Sequence, residues 1–480
     1  MNRRLVLASA AAVVLTGSAP ARGNGRPPAT TGVHTQPGAS TDIYLSSTFG
    51  LLISRDDGCS FRWICEGNIG YGGMFDPKYA VTADGTIFAT TFNGLRVSRD
   101  GGCSFTTATE DAPKADPGRF AGKWVDAIEL GPDGELWVAT AASGDDNDLY
   151  RSTDGGRTFV ARGRNSPTMW WKSVKVAPSQ PARVYISGYQ VSSAADDGGL
   201  APPITQAFRS DDGGDTWSPP LPLDGVALHT TPLVTVEAVD PGNPDRLYLR
   251  SSGANPPGGD RLYRSTDGGQ AWTEVLVTTD PINRVLLRAG GEVLVATTMS
   301  GLYRSADGVA PLAPVPGAPK TACLDQRGDG TLLACGTNWD PDFKALARSA
   351  DGLTWTFYLR AELRWSNGEA LTAAQFVASM QRALDPETAA PLASLFATIR
   401  QAPAVLHGTR PATDLGLRAP NARTVVIELT QPTALLERLV LPIAAPIHLS
   451  SLQRHGAQHT RPGNMISNGP YRLIEWTPQA

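Results

Sequence analysis

The stretch RSADGLTWTFYLRAELRWSNGE, residues 348–369, decides how this chain is organised. Trp355, Phe357 and Leu359 alternate with polar residues, a spacing of two that is typical of a β-strand with one apolar face. The residues before this strand complete a repeated turn motif, and the residues after it begin a turn followed by a helix. We therefore interpret residues 354–360 as one strand that two neighbouring structural units share.

A turn motif of the form Ser-x-Asp-x-Gly recurs upstream of this strand. The intervals range from 40 residues, between Ser265 and Ser305, to 58 residues, between Ser152 and Ser210. Strand patterns such as TIFATT and ELWVAT precede the copies, and four strands per repeat are typical of a propeller blade. We predict a mainly β fold with a seven-bladed β-propeller over residues 42–357. Its first blade should lack the innermost strand, which predicts incomplete closure.

The acidic residue of each motif has a structural explanation. A carboxylate at this position accepts backbone N–H bonds within the turn, and the following glycine supplies a positive φ. The recurring motif closely resembles the Asp-box (BNR) repeat, and the resemblance implies structural rather than catalytic roles for these residues. They are Asp56, Asp100, Asp154, Asp212, Asp267, Asp307 and Asp351.

A different pattern begins after the shared strand. Thr372 and Gln375 fit a helix-capping box, and an apolar face follows on residues 376–384 before Asp385 and Pro386 end the helix. The segments FYLRAELRWSNGEALTAAQFV, ALDP, TVVIELTQP and NGPYRLIEW together resemble the family 5 extracellular solute-binding proteins. The resemblance implies a partial α/β periplasmic binding lobe over residues 358–480. It also implies oligopeptide capture and a peptide import permease as partner.

The N-terminus predicts export. Arg3 and Arg4 precede an apolar stretch over residues 5–16, too short to span a bilayer, and small residues around Ala21 fit a cleavage site. We therefore predict a signal peptide over residues 1–21, a disordered lead-in over residues 22–41, and a periplasmic or extracellular location without a membrane span. The net charge of −4 and the lack of a basic stripe argue against nucleic-acid binding.

Five cysteines in an exported chain suggest disulfide bonds. Cys323 and Cys335 flank a turn and could close a hairpin, and Cys59 and Cys65 flank a short strand. We predict these two pairs and leave Cys103 free. The alternative, in which all five are buried thiols, stays open.

Aromatic residues in the connecting loops are the candidate ligand-binding surface. Their flat faces could stack on a glycan or an extended peptide, although packing between strands would use the same residue types. No metal or cofactor pattern accompanies them, and we predict an exported, non-enzymatic binding protein. The alternatives are a sialidase-like or xyloglucanase-like glycosidase, and a fusion or truncation product without a joint function. The candidate residues are Tyr71, Trp124, Trp170, Trp171, Tyr189 and Trp339.

Overall fold

The structure is a computed structural model, and it carries most of the chain after the N-terminal segment. It describes residues 29–39, 41–58, 60–73, 75–190, 204–229, 233–255, 258–315, 318, 320–336, 346–349, 353–359, 363–430, 439, 442–469, 473 and 475. The predicted signal peptide therefore lies outside the described residues.

The first half of the chain forms antiparallel sheets whose strands follow one another in sequence. The first sheet contains β1 Thr30–Thr35, β2 Ile43–Ser47, β3 Gly50–Ser54 and β4 Arg62–Cys65. The second contains β5 Tyr79–Val81, β6 Ile87–Thr91, β7 Gly94–Ser98 and β8 Thr106–Thr107. The third contains β9 Val125–Leu130, β10 Leu136–Thr140, β11 Leu149–Ser152 and β12 Val160–Ala161.

Three further sheets continue the same sequential order. The fourth sheet has three described strands, β13 Met169–Ala177, β14 Gln180–Gln190 and β15 Ile204–Ser210. The fifth contains β16 Val234–Asp240, β17 Asn243–Asn255, β18 Gly259–Ser265 and β19 Thr273–Val277. The sixth contains β20 Ile282–Leu287, β21 Val293–Thr297, β22 Gly301–Ser305 and β23 Ala313–Pro314.

The last sheet joins the repeats to the C-terminal region. Its six strands run in the order β24-β25-β26-β27-β29-β28. They are β24 Cys323–Gln326, β25 Leu332–Cys335, β26 Ala347–Ser349, β27 Thr354–Tyr358, β28 Leu417–Asn421 and β29 Thr424–Glu428. Thr356 lies opposite Arg348 on one side and Val426 on the other. The shared strand is confirmed, and the proposed domain boundary between residues 357 and 358 falls inside it.

The predicted seven-bladed propeller is wrong. The described residues form small antiparallel sheets of three, four and six strands rather than seven equal units, and no closed barrel or propeller is recognised among them. The sequence repeat predicted local strands and turns, but the sheet of the last repeat is not a separate four-stranded unit, because β27 also pairs with β29 of the C-terminal region. The predicted opening beside the first blade depended on that propeller and is wrong as well.

The first sheet also differs from the prediction, because its first strand lies inside the expected lead-in. β1 pairs with β2 over five positions, from Thr30 opposite Ser47 to Thr35 opposite Ile43. The backbone N–H and the hydroxyl of Thr35 both donate to Asp325, at 3.1 Å each. These long-range bonds order a segment whose composition alone suggested disorder.

Four α-helices are described. They are α1 Glu66–Ile69, α2 Ala373–Leu384, α3 Ala402–Leu406 and α4 Leu449–His455. Short 3₁₀ turns lie at Pro386–Thr388, Ala393–Phe396, Ala412–Asp414, Pro442–Ala444 and Gly456–Thr460. In the part of the chain that the structure describes, every helix falls short of the length and apolar character needed to span a bilayer.

The predicted helix after the shared strand is confirmed as α2. Thr372 caps it and Gln375 completes the capping box. Its apolar face buries Met380 and Leu384 against a core that includes Phe396 and the strands β28 and β29. Trp355, Phe357 and Leu359 pack against the same core, so the apolar face of the shared strand points toward the C-terminal region.

Candidate ligand-binding site

The repeated acidic residues organise their own turns. The hydroxyl of Ser152 donates to Asp154 at 2.7 Å and accepts a bond from the N–H of Gly156 at 2.9 Å. The N–H and hydroxyl of Thr158 also donate to the Asp154 carboxylate. Burial acts to raise the pKa of Asp154, but the hydrogen bonds from Thr158 and Ser152 outweigh it and lower the pKa to about 2.

The same bonding pattern recurs at the other described copies. The serine hydroxyl donates to the carboxylate at 2.8 Å in four of them, at Asp56, Asp100, Asp212 and Asp267. At Asp307 the corresponding distance is 3.5 Å. Asp351 lies outside the described residues. In the described copies, these carboxylates bond to the turn itself. Among the described ranges, no three His, Cys, Asp or Glu side chains form a metal-binding group.

Several of the candidate aromatic residues come together in one cluster. The rings of Trp124 and Trp170 meet edge to face with centroids 5.4 Å apart, and Tyr189 lies 5.8 Å from Trp170. Phe92 lies 5.0 Å from Trp124, and Phe75 lies 4.5 Å from Phe92. Phe92 is 50% exposed, so the cluster reaches the surface. We call these five residues the aromatic cluster.

The remaining candidates lie elsewhere. Trp171 is fully buried and packs with Trp137 and Phe208 in a core between two sheets, because successive side chains of a strand point to opposite faces. Tyr71 packs against the core beneath α1 and donates from its hydroxyl to Ser47. Trp339 lies outside the described residues. Of the six predicted residues, the structure brings together Trp124, Trp170 and Tyr189.

A polar cavity of about 490 Å³ lies where the first strands of the sheets face one another. Side chains from β1, β9, β13, β16, β20 and β24, and from the segment that leads into β5, line it. The lining includes eight charged residues, in contrast to the apolar cores between neighbouring sheets. The charged lining residues are Lys78, Glu129, Lys172, Lys175, Glu237, Arg250, Arg284 and Asp325.

Two lysines in the cavity share a single carboxylate. Lys172 forms an ion pair with Asp126, and the Nζ of Lys78 lies 3.5 Å from the other oxygen of Asp126 and donates to its backbone carbonyl at 2.6 Å. Lys172 also lies over the ring of Trp124, with its Nζ 4.9 Å from the centroid. Burial lowers the pKa of Lys78 to about 8, and burial together with Lys78 lowers the pKa of Lys172 to about 7.

The other charges in the cavity are matched more closely. Lys175 pairs with Glu129 at 2.6 Å, and Arg250 pairs with Glu237 at 2.8 Å and with Asp260 at 3.4 Å. Burial raises the pKa of Asp325, while the charge of Arg284 acts to lower it. Lys78 and Lys172 differ from Lys175 and Arg250 in sharing one ion-paired carboxylate.

The sequence analysis missed these cavity residues. A signal was present, because charged residues interrupt otherwise apolar first strands, as Lys172 and Lys175 do after Trp171. These side chains line one cavity because of the way that separate sheets face one another. A local sequence pattern does not predict that arrangement. Phe92 was missed for the same reason, since it stands alone in its turn in the sequence.

The cysteines divide into one bonded pair and two free thiols. Cys323 and Cys335 form a disulfide across β24 and β25, with Cα atoms 5.1 Å apart. Cys65 and Cys103 are free and exposed. The free thiol of Cys65 corrects the predicted Cys59–Cys65 bond, and Cys59 itself lies outside the described residues.

The C-terminal region has polar contacts of its own near the start of α2. The indole N–H of Trp365 donates to Gln375 at 3.1 Å, and its ring meets His448 edge to face. The buried imidazole of His448 contacts Glu369 at 2.7 Å. These contacts tie the turn before α2 to the start of α4, in the segment whose motifs resemble the solute-binding proteins.

Sequence comparison identifies this region. Residues 341–480 match the family described as bacterial extracellular solute-binding proteins, family 5 middle. We call residues 341–480 the family 5 region, after the family that they match. The periplasmic oligopeptide-binding protein OppA of Escherichia coli is 37% identical over 129 residues, which cover 26% of this chain and 24% of that protein. The periplasmic murein peptide-binding protein MppA of the same organism is 37% identical over 131 residues, or 27% and 24% of the two chains.

One of the solved structures that the comparison returns is a form of MppA. The unliganded open form of MppA is 33% identical, covers 29% of this chain and 28% of that chain, and has a TM-score of 0.27. This chain spans about a quarter of the length of the curated relatives it matches. The relatives are named as periplasmic binding proteins rather than enzymes, which agrees with the predicted class and location.

Proposed function

We propose that this chain is an exported, non-enzymatic oligopeptide-binding protein of the periplasm or the cell exterior. The observation that carries the proposal is the identity of 37% between its family 5 region and OppA, a protein named for oligopeptide binding. A peptide import permease is the proposed partner, because the resemblance is to the binding components of such systems. Over the rest of the chain, the proposal rests on the chemistry of its surfaces.

The aromatic cluster is the proposed contact surface for the peptide. Its rings are rigid and partly exposed, and they lie beside a cavity with charged walls. Ligand sites typically combine an apolar surface with a few placed polar groups, in cavities of roughly 300–1,000 Å³. The cavity of about 490 Å³ falls within that range.

Calorimetric titration of the purified full chain with tri- to hexapeptides tests the proposal. We expect binding that weakens about tenfold, or about 1.4 kcal/mol, in Trp124→Ala and Trp170→Ala, because each change removes a stacking ring. Trp63→Ala is the matched control, because Trp63 is 59% exposed on β4 and lies outside the aromatic cluster. Equal binding by all three variants would contradict the proposed surface.

Two other outcomes would overturn the function itself. Failure of every peptide to bind, with binding of a neutral glycan instead, would replace the peptide by a sugar ligand. Turnover of fluorogenic glycosides by the purified protein would make the chain an enzyme. A misplaced contact surface would give a different result. Peptides would still bind, and the Trp variants would bind them as tightly as the unsubstituted chain.

A further inference from the structure

We propose that Lys78 and Lys172 form a subsite for a carboxylate at the point where the aromatic cluster meets the cavity. The inference rests on the proposed function and deepens it, because it names the ligand group that would lie deepest. A peptide with a free C-terminus carries such a group, and so does an acidic sugar. The shared chemistry is a single carboxylate held by two ammonium groups.

Ion pairing distinguishes these two lysines from Lys175 and Arg250, which line the same cavity. Lys78 and Lys172 have one carboxylate between them, that of Asp126, whose side chain is only 8% exposed. Lys175 has Glu129 to itself, and Arg250 has both Glu237 and Asp260. The two lysine ammonium groups therefore share one ion-paired carboxylate. Desolvation by the cavity walls lowers the pKa of both lysines, and a bound anion would stabilise their charged forms.

Access favours Lys78 as the group that a ligand meets. Its side chain is 51% exposed and lines the cavity, whereas the side chain of Lys172 is 16% exposed between Asp126 and Trp124. An entering carboxylate could contact the Lys78 ammonium without displacing Asp126. Lys172 would then contribute by proximity and by holding Asp126 on the far side.

The neighbouring aromatic ring gives the ligand a direction. Trp124 contacts Lys172 and Trp170 together, so a carboxylate at the lysines would place the adjoining ligand atoms near these rings. The buried indole N–H of Trp124 has no hydrogen-bond acceptor among the described residues. A ligand oxygen that accepted this bond would remove the cost of a buried unpaired donor.

The test compares a peptide with a free C-terminal acid, the same peptide as its amide, and a glucuronic acid oligosaccharide, each titrated into the full chain. We expect the free acid to bind at least tenfold more tightly than the amide. Lys78→Gln and Lys172→Gln should each abolish that preference. Lys175→Gln is the matched control, because Lys175 lines the same cavity but has its own partner, Glu129.

Lys172→Arg is a second control, which separates loss of the charge from misfolding. It keeps the positive charge and should retain most of the preference for the acid. Equal affinity for acid and amide would overturn the subsite and leave the proposed function standing. Binding of the acidic sugar alone, lost in Lys172→Gln, would support the subsite and overturn the peptide. A Lys175→Gln variant as weak as Lys172→Gln would overturn the subsite, because it would show only a general charge effect.

Discussion

The repeat sheets and the family 5 region hold their local structure by different means. In the sheets, buried serines and their acidic neighbours form the turns, as Ser152 and Asp154 do, and small apolar clusters lie between neighbouring sheets. In the family 5 region, one core gathers α2, β28, β29 and the 3₁₀ turn at Ala393–Phe396. The first arrangement depends on many local hydrogen bonds, and the second depends on one set of apolar contacts that are distant in sequence.

The two arrangements meet at a single strand. β27 pairs with β26 of the repeats through Thr356 and with β29 of the family 5 region along its whole length. The apolar residues of β27 face the family 5 core. Because the strand belongs to both, its loss should damage both regions, whereas changes on either side should stay local.

The largest expected effect is therefore at the shared strand. Thr356→Pro removes a backbone donor from a strand that is paired on both sides, and we expect a loss of about 3 kcal/mol or more in the free energy of unfolding. Urea unfolding and limited proteolysis should show both regions becoming labile together. Thr356→Val keeps a β-branched side chain without the hydroxyl and is the control. Cleavage confined to one region would contradict the shared role.

This strand also shows how much the sequence could predict. Alternation at Trp355, Phe357 and Leu359 indicated the strand and its apolar face, and the Thr372 capping box indicated α2 with its limits. Both signals are local, since they depend on neighbouring side chains and on backbone groups within one turn. The family 5 motifs could also be recognised from the sequence, because they lie close together and in order.

The failures concern contacts between residues far apart in the chain. The Gly-, Pro- and Thr-rich composition around β1 suggested disorder, yet Thr35 bonds to Asp325 and orders it. The repeat period suggested a seven-bladed assembly, but the sheet of the last repeat continues from β27 into β29 of the C-terminal region. Strand preference depends on neighbours across the sheet, so the order of strands could not be deduced from repeated turns. The Lys78 and Lys172 pair was hidden for the same reason.

A middle-sized effect is expected inside one repeat turn. Ser152→Ala removes a buried hydroxyl that donates to Asp154 and accepts from Gly156. The N–H of Gly156 would then lack an acceptor, which costs about 1–3 kcal/mol. Hydrogen exchange should show the loss near residues 149–161 and leave α2 unchanged. Thr153→Ala is the matched control, because Thr153 is exposed in the same turn, and an equal loss there would refute the role of the hydroxyl.

The smallest expected effect is at the start of α2. Here too a side-chain hydroxyl is removed from a turn, but the helix is also held by apolar contacts. Thr372→Ala should cost about 1 kcal/mol, measured by chemical unfolding, because it removes one acceptor from the first turn of the helix. The remaining contacts limit the loss: Gln375 still accepts from the Thr372 backbone at 2.9 Å and from Trp365 at 3.1 Å, and Met380 and Leu384 stay buried. Thr372→Ser keeps the oxygen and should be nearly neutral. A loss at Thr372 as large as that at Ser152 would mean that local polar bonds, and not the apolar core, hold the family 5 region together.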